Sequence, residues 1–188
     1  MGLYKYLQQA FRTADPEIKR KRMIEWRASE AVVRVEKPLN LAKAHMLGYK
    51  AKKGIIVVRI RLLRGGRTRT RPKKARRSKR MSIKKVLKMN YREVAEQRVA
   101  RKYTNMEVVN SYLIGKDGRY IFFEIILADR NSPELINDKQ IGPLIASPKS
   151  RTFRGLTSAG VKARGLRNSV FKVPKVRPSL RAHNRQGN

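Results

Sequence analysis

From Arg64 to Lys85 the sequence places twelve Lys or Arg among 22 residues, with no acid between them. The chemistry open to such a run is the neutralisation of close-packed phosphates. Arg predominates in its first half (Arg64, Arg67, Arg69, Arg71), where the planar guanidinium offers paired donors to phosphate oxygens and a face that stacks on bases. Acid–base chemistry has far less to draw on. The absence of Cys excludes disulfides, thiolate metal sites and a Cys nucleophile, and the two His, His45 and His183, stand far apart. Glu93 and Glu96 fall one turn apart on a predicted helix; at that spacing they are expected to solubilise its outer face or to pair with Arg98 and Arg101. No catalytic residue, metal site, cofactor or small-molecule substrate is therefore expected.

A basic run alone would also suit a solvated linker or a localisation signal. The charge of the whole chain argues for more. Net charge is +34 over 188 residues, and all thirteen acids lie within residues 15–36 and 93–138. Residues 1–36 carry +3, 37–92 carry +21, 93–138 carry −2 and 139–188 carry +12. Two acid-free segments thus hold nearly all the charge, and a localisation signal would not require the second of them. The partition reads as a folded body with cationic arms for a polyanion, nucleic acid before all others. A membrane partner is not expected, since no apolar stretch approaches the roughly 20 residues that span a bilayer. No basic helix with a broad apolar face is expected, and no secretory signal pattern opens the chain.

The elements that must position these charges follow from pattern. Asp15-Pro16-Glu17 is an N-cap, a first-position Pro and a first-turn acid, which starts a helix through Met23 and Trp26. Residues 31–35 read as a short strand, and Asn40 opens a short helix that Gly48 closes. In residues 55–63, Val58, Ile60 and Leu62 share one face with Arg59 and Arg61 opposite, the pattern of a half-buried strand with a basic side. Tyr91, Ala95, Val99 and Tyr103 recur at the spacing of an amphipathic helix. Residues 107–114 and 119–128 flank Asp117-Gly118, a hairpin turn signal. Ile121, Phe123, Ile125 and Leu127 form one apolar row with Phe122 and Ile126 opposite, as in a central strand covered on both faces. Strands interleaved with helices, two of them in a tight hairpin, make an α+β fold. Aromatics among basic residues, Tyr4, Tyr6, Tyr49, Phe153 and Phe171, are the candidates for stacking on bases.

The body is expected to span residues 1–146, interrupted by the basic loop 64–85. With Gly65, Gly66 and Pro72 and little to bury, that loop cannot offset its ordering entropy and should be disordered without its partner. Residues 147–188 form a basic C-terminal extension. Ser147-Pro148 would open a short helix ended by Gly155, and Thr157 or Ser158 would cap a further turn closed by Gly165. Lys149, Arg151, Arg154, Lys162, Arg164 and Arg167 give the extension a cationic surface, and Gly155, Ser158, Ala159, Gly160 and Gly165 allow close backbone approach. Beyond Asn168 the chain reads as an extended tail.

Three blocks, LGYKAKKGIIVVRIRLLRGGR (47–67), VVNSYLIGKDGRYIFFEIILAD (108–129) and FRGLTSAGVKARGLRN (153–168), resemble the eukaryotic and archaeal family of large-subunit ribosomal proteins numbered fifteen with an e suffix. The resemblance runs nearly the whole chain, and an archaeal member is expected. It implies a small mixed sheet of about four strands with helices packed on it, and a long basic loop and C-terminal extension that penetrate between RNA helices. It implies a structural constituent of the large subunit in the cytoplasmic ribosome, partnered by large-subunit ribosomal RNA and neighbouring ribosomal proteins. Carried over by block, RNA contacts fall on Lys50, Lys52 and Lys53, on Arg64, Gly65, Gly66 and Arg67, and on Arg154, Thr157, Lys162, Arg164 and Arg167. The charge reading adds Arg69, Arg71, Lys73, Lys74, Arg76, Arg77, Lys79, Arg80, Lys84, Lys85 and Arg151. Another basic nucleic-acid-binding protein, for DNA compaction or RNA processing, is the alternative. It fits the charge, but does not need so apolar a hairpin or so irregular an extension.

Overall fold

A computed structural model describes residues 2–66, 74–75, 89–146 and 149–167. In chain order these form α1 (Gly2–Thr13), α2 (Pro16–Ala28), β1 (Val32–Val35), α3 (Leu41–Met46), β2 (Ile55–Leu63), α4 (Tyr91–Lys102), β3 (Met106–Lys116), β4 (Tyr120–Asp129), α5 (Pro133–Ile136), α6 (Gly142–Ala146) and α7 (Ser158–Ala163). Two capping signals, at Asp15 and Asn40, act where the sequence places them, and Asn90 adds a third cap. Asp15 accepts from the Glu17 amide at 2.9 Å and Asn40 from the Lys43 amide at 3.0 Å. Asn90 accepts from the Glu93 amide at 2.8 Å, so three helices start on side chains that satisfy otherwise orphaned amides. Gly48, at φ +98°, turns the chain after α3.

The strands stand in the order β1-β2-β4-β3, and every pairing is antiparallel. The expectation of a mixed sheet therefore needs correction. β2 and β3 do run in the same direction, as a strand–helix–strand crossover through α4 would have them, but the tight hairpin folds β4 back between them. Each parallel-running strand thus finds an antiparallel neighbour, and no parallel ladder forms. β4 is the central strand that its two apolar rows predict. Ile125 and Leu127 pack with Val58, Ile60 and Leu62 of β2 and with Ala95 and Val99 of α4. Phe122 and Ile126 face the other way, against Trp26 of α2, Leu135 of α5 and Ile145 of α6.

The basic side of β2 is covered as well. The Arg59 guanidinium lies 5.3 Å from the Trp26 ring centroid, and Arg61 lies 4.9 Å from that of Tyr120. Arg59 also donates to the Ser29 hydroxyl at 3.2 Å. Their stems fill the seam under α2 and their charge rests on aromatic faces. Three helices were not legible in advance. α5 and α6 are only a turn or so long, and α1 lacks a cap residue. α1 packs through Tyr4 against His45 and through Gln8 against Met46, and buries none of its own residues.

Candidate nucleic-acid interface

The surface charge is set by where the acids go. Among the described residues Glu93, Glu96, Glu107, Glu124 and Asp138 are all buried. Glu93 and Glu96 therefore do not line the outer helix face that their spacing suggests, and the cation beside Glu96 is Arg92, not Arg98 or Arg101. α4 turns both inward beside its Ala95–Val99 stripe. Glu96 accepts from the hydroxyls of Ser111 on β3 and of Thr157, the latter at 2.6 Å, with the Arg92 guanidinium 3.8 Å away. Burial pushes its carboxyl up, against the pull of those hydrogen bonds. Glu124 accepts from the Tyr112 hydroxyl and, at 3.2 Å, from the Leu39 amide, and burial raises its carboxyl too. With these carboxylates committed inside, the outward face of residues 93–138 is far more basic than their net charge of −2 suggests.

Part of the C-terminal extension is fastened to these acids. Glu107 on β3 accepts from the Ser150 and Arg151 amides, each at 3.1 Å, and from Arg130 at 3.3 Å. Residues 151–155 form turns in place of the expected helix. Ser150 adopts φ +67°, and the amides that would begin a helix are taken by the carboxylate. Ser147 and Pro148 lie outside the described residues. Thr157 then caps α7 by accepting from the Gly160 amide at 3.2 Å, and Gly165, at φ +73°, follows the helix as its spacing predicts. The expected close approach occurs within the segment itself. A Cβ on Gly160 would fall 2.6 Å from the Gly155 Cα, so the turn and α7 meet backbone to backbone.

The residues expected at the interface divide by exposure. Lys50, partly buried, donates to both oxygens of the buried Asp138 at 2.8 Å; Lys52 is exposed but its ammonium donates to one of them at 3.0 Å, and Lys53 is exposed. Arg64 is exposed but reaches back to the Asp117 carbonyl, and Gly65 exchanges hydrogen bonds with the Tyr91 hydroxyl at 2.9 and 3.2 Å. Gly66 and Lys74 are exposed. Arg67, Arg69, Arg71, Lys73, Arg76, Arg77, Lys79, Arg80, Lys84 and Lys85 lie outside the described residues. In the extension Lys149, Arg154, Lys162, Arg164 and Arg167 are exposed. Arg151 instead donates to the Val108 carbonyl at 3.1 Å, and Thr157 is fully buried. Among the stacking candidates Tyr4, Tyr6 and Phe153 are exposed, Phe153 with the Arg101 guanidinium 5.6 Å from its ring centroid, whereas Tyr49 is partly buried against the core. Phe171 lies outside the described residues. Among those residues no cluster of acids and His could hold a metal, and no helix is long and apolar enough to cross a membrane.

Asp138 gives the body a distinct acid limit. The Lys50 ammonium, the Gln140 amide and the Lys52 ammonium hold its carboxyl well below the usual range, so its contribution is present above the ordinary value of 3.8 and is lost as pH falls through the lowered one. Glu96 and Glu124 act with the opposite sign. Their raised carboxyls take up protons more readily in the folded chain, so stability rises as pH falls from neutrality toward 4.5. We expect Asp138→Asn to melt below the wild type at pH 7 and to converge on it as pH falls below about 3.8. Thermal melts from pH 7 down to about pH 1.5 check this, with the gap expected to narrow only below about 3.8, and a gap that stays constant to the acid end would show that the lysine pair is not what Asp138 contributes.

A family model described as Ribosomal L15 matches residues 2–183 of the chain. Curated archaeal relatives agree along nearly the whole length. The large ribosomal subunit protein eL15 of Methanocorpusculum labreanum is 45% identical over 191 residues, covering 99% of this chain and 98% of its own. That of Methanospirillum hungatei is 43% identical over 97% and 96%, and that of Picrophilus torridus 45% identical over 89% and 87%.

Proposed function

The chain belongs to the ribosomal L15 family, and we propose from that premise that it is a structural constituent of the large ribosomal subunit that binds and stabilises folded large-subunit RNA. It is an archaeal member, placed in the cytoplasmic ribosome among other large-subunit proteins. The observation that carries the RNA reading is the inward commitment of Glu93, Glu96, Glu107, Glu124 and Asp138, which leaves a folded surface whose exposed charge is mostly positive. Lys53, Arg64, Lys74, Lys149, Arg154, Lys162, Arg164 and Arg167 are the described residues we assign to phosphate contacts. The basic loop 64–85 and the tail add the rest.

Binding is driven largely by counterion release, and recognition is of RNA shape and backbone, because the A-form major groove is too narrow for side chains to read. No catalytic step is assigned. Of the two acids on α4, Glu96 is hydrogen-bonded to Ser111 and Thr157 and Glu93 is buried beside it. Competition between large-subunit ribosomal RNA and duplex DNA at one fixed salt concentration tests the reading. The RNA is expected to win, and equal affinity for the two would sink the ribosomal assignment in favour of a general DNA-compacting role.

A further inference from the structure

A protein for a polyanion gains nothing in long-range attraction from its own carboxylates, yet Glu96 and Glu107 sit beneath an acid-free, strongly cationic part of the described chain. Each reaches it across a long stretch of sequence. Glu107 takes the Ser150 and Arg151 amides 43 and 44 residues away, and Glu96 takes the Thr157 hydroxyl 61 residues away. Neither acid is open to solvent, so neither opposes the RNA at contact range.

Three further links hold the same segment. Asn90 donates to the Ala159 carbonyl at 3.0 Å, Gln97 to the Thr152 carbonyl at 3.5 Å, and Arg151 to Val108 at 3.1 Å. The turn at Gly155 and helix α7 then close on each other at Gly160. Five exposed cations, Lys149, Arg154, Lys162, Arg164 and Arg167, are thereby carried on a backbone whose shape is fixed from below.

We propose that Glu107 and Glu96 are positioning residues for the RNA contact: they fix residues 149–167 in one shape before the RNA arrives, so that the ordering cost is met in folding and not in binding. The proposal rests on the RNA-binding reading above. Its sign distinguishes it from simple electrostatics. Removing an acid from a protein that binds a polyanion should tighten binding if charge alone matters, whereas removing a positioning acid should weaken it. Gln at position 107 would keep one acceptor and turn its NH2 toward the other of the two backbone donors, while leaving every cation of the segment in place.

The test uses the full chain and large-subunit ribosomal RNA. Glu107→Gln and Thr157→Val are expected to bind about tenfold more weakly than wild type at fixed salt, with an unchanged salt slope because the same phosphates are neutralised. Amides of residues 149–164 should lose exchange protection in both variants, while those of the β3–β4 hairpin keep theirs. Thr157→Ser, which restores the hydroxyl, should return affinity to wild type. Glu134→Gln, an exposed acid on α5, should bind as well as wild type or slightly better. The proposal is overturned if Glu107→Gln leaves the segment protected, or if it loosens the segment and still binds as tightly as wild type. Should Glu107→Gln fail to fold, the two Thr157 variants decide, and equal affinity for Val and Ser overturns it. A wild-type chain that prefers duplex DNA would instead overturn the ribosomal reading, a result independent of the variants.

Discussion

Raising monovalent salt from 50 to 200 mM is expected to weaken binding to large-subunit ribosomal RNA by about a thousand- to a hundred-thousand-fold, the loss typical of a protein that neutralises roughly six to ten phosphates. Lys53, Arg64, Lys74, Lys149, Arg154, Lys162, Arg164 and Arg167 are all exposed, and on the described surface alone they already fall within that range. Individual cations should then be separable. Lys162→Ala is expected to lower the slope of log affinity against log salt by about one, as the removal of a phosphate contact does. Lys50→Ala should act mainly on stability, because the Lys50 ammonium is bound to Asp138 at 2.8 Å. Filter binding across the salt range, with both variants, measures this. A slope near zero for the wild type would remove counterion release as the driving force, and equal slope changes for the two lysines would remove the division made here between outward and inward cations.

The elements that local chemistry specifies were legible before any coordinates. Asp15 and Asn40 start helices because a short polar side chain can satisfy an amide two or three residues on, and Asp117 closes the hairpin because its carboxylate accepts from the Arg119 and Tyr120 amides. The two rows of β4 were legible because apolar side chains declare their burial by type. Carboxylates do not. Whether Glu107 is buried depends on the Ser150 and Arg151 amides more than forty residues later, and Glu96 depends on Thr157. No window of sequence contains both partners. The same distance hid the fate of residues 151–155, where a Ser-Pro pair suggested a helix and a carboxylate from β3 took the amides. It also hid the sheet's uniform antiparallel pairing, which depends on where the hairpin inserts and not on any strand's own pattern. The family resemblance supplied Thr157 as an RNA contact, whereas its full burial ties it to the capping of α7 and to Glu96.

Replacing Phe122 by Ala is expected to destabilise the fold by about 3–5 kcal/mol, the cost of deleting a buried aromatic side chain and leaving a cavity that cannot fully collapse. Phe122 is wholly buried at the middle layer of the body, on the strand that joins both halves of the sheet. In register it stands opposite Arg61 on one side and Gly115 on the other. Gly115 has no side chain to fill the space. A Cβ there would fall 2.9 Å from the Met23 tip and 3.4 Å from the Trp26 ring, so α2 is seated directly over that glycine. Trp26 then meets Phe122 edge-on at 5.3 Å between centroids, and the Arg59 guanidinium lies over the Trp26 ring. Without the Phe122 ring, Trp26 loses its support, and the cover that α2 provides for the basic side of β2 loosens with it. Leu113→Ala, at a position 47% exposed on the neighbouring strand, should cost under about 1 kcal/mol. A domain stable by some 5–15 kcal/mol would lose a large fraction of that reserve in the first variant and little in the second. Urea unfolding at high salt, which screens the chain's self-repulsion, is the measurement, and a loss below about 1.5 kcal/mol for Phe122→Ala would show that α2 is held by contacts other than this aromatic seat.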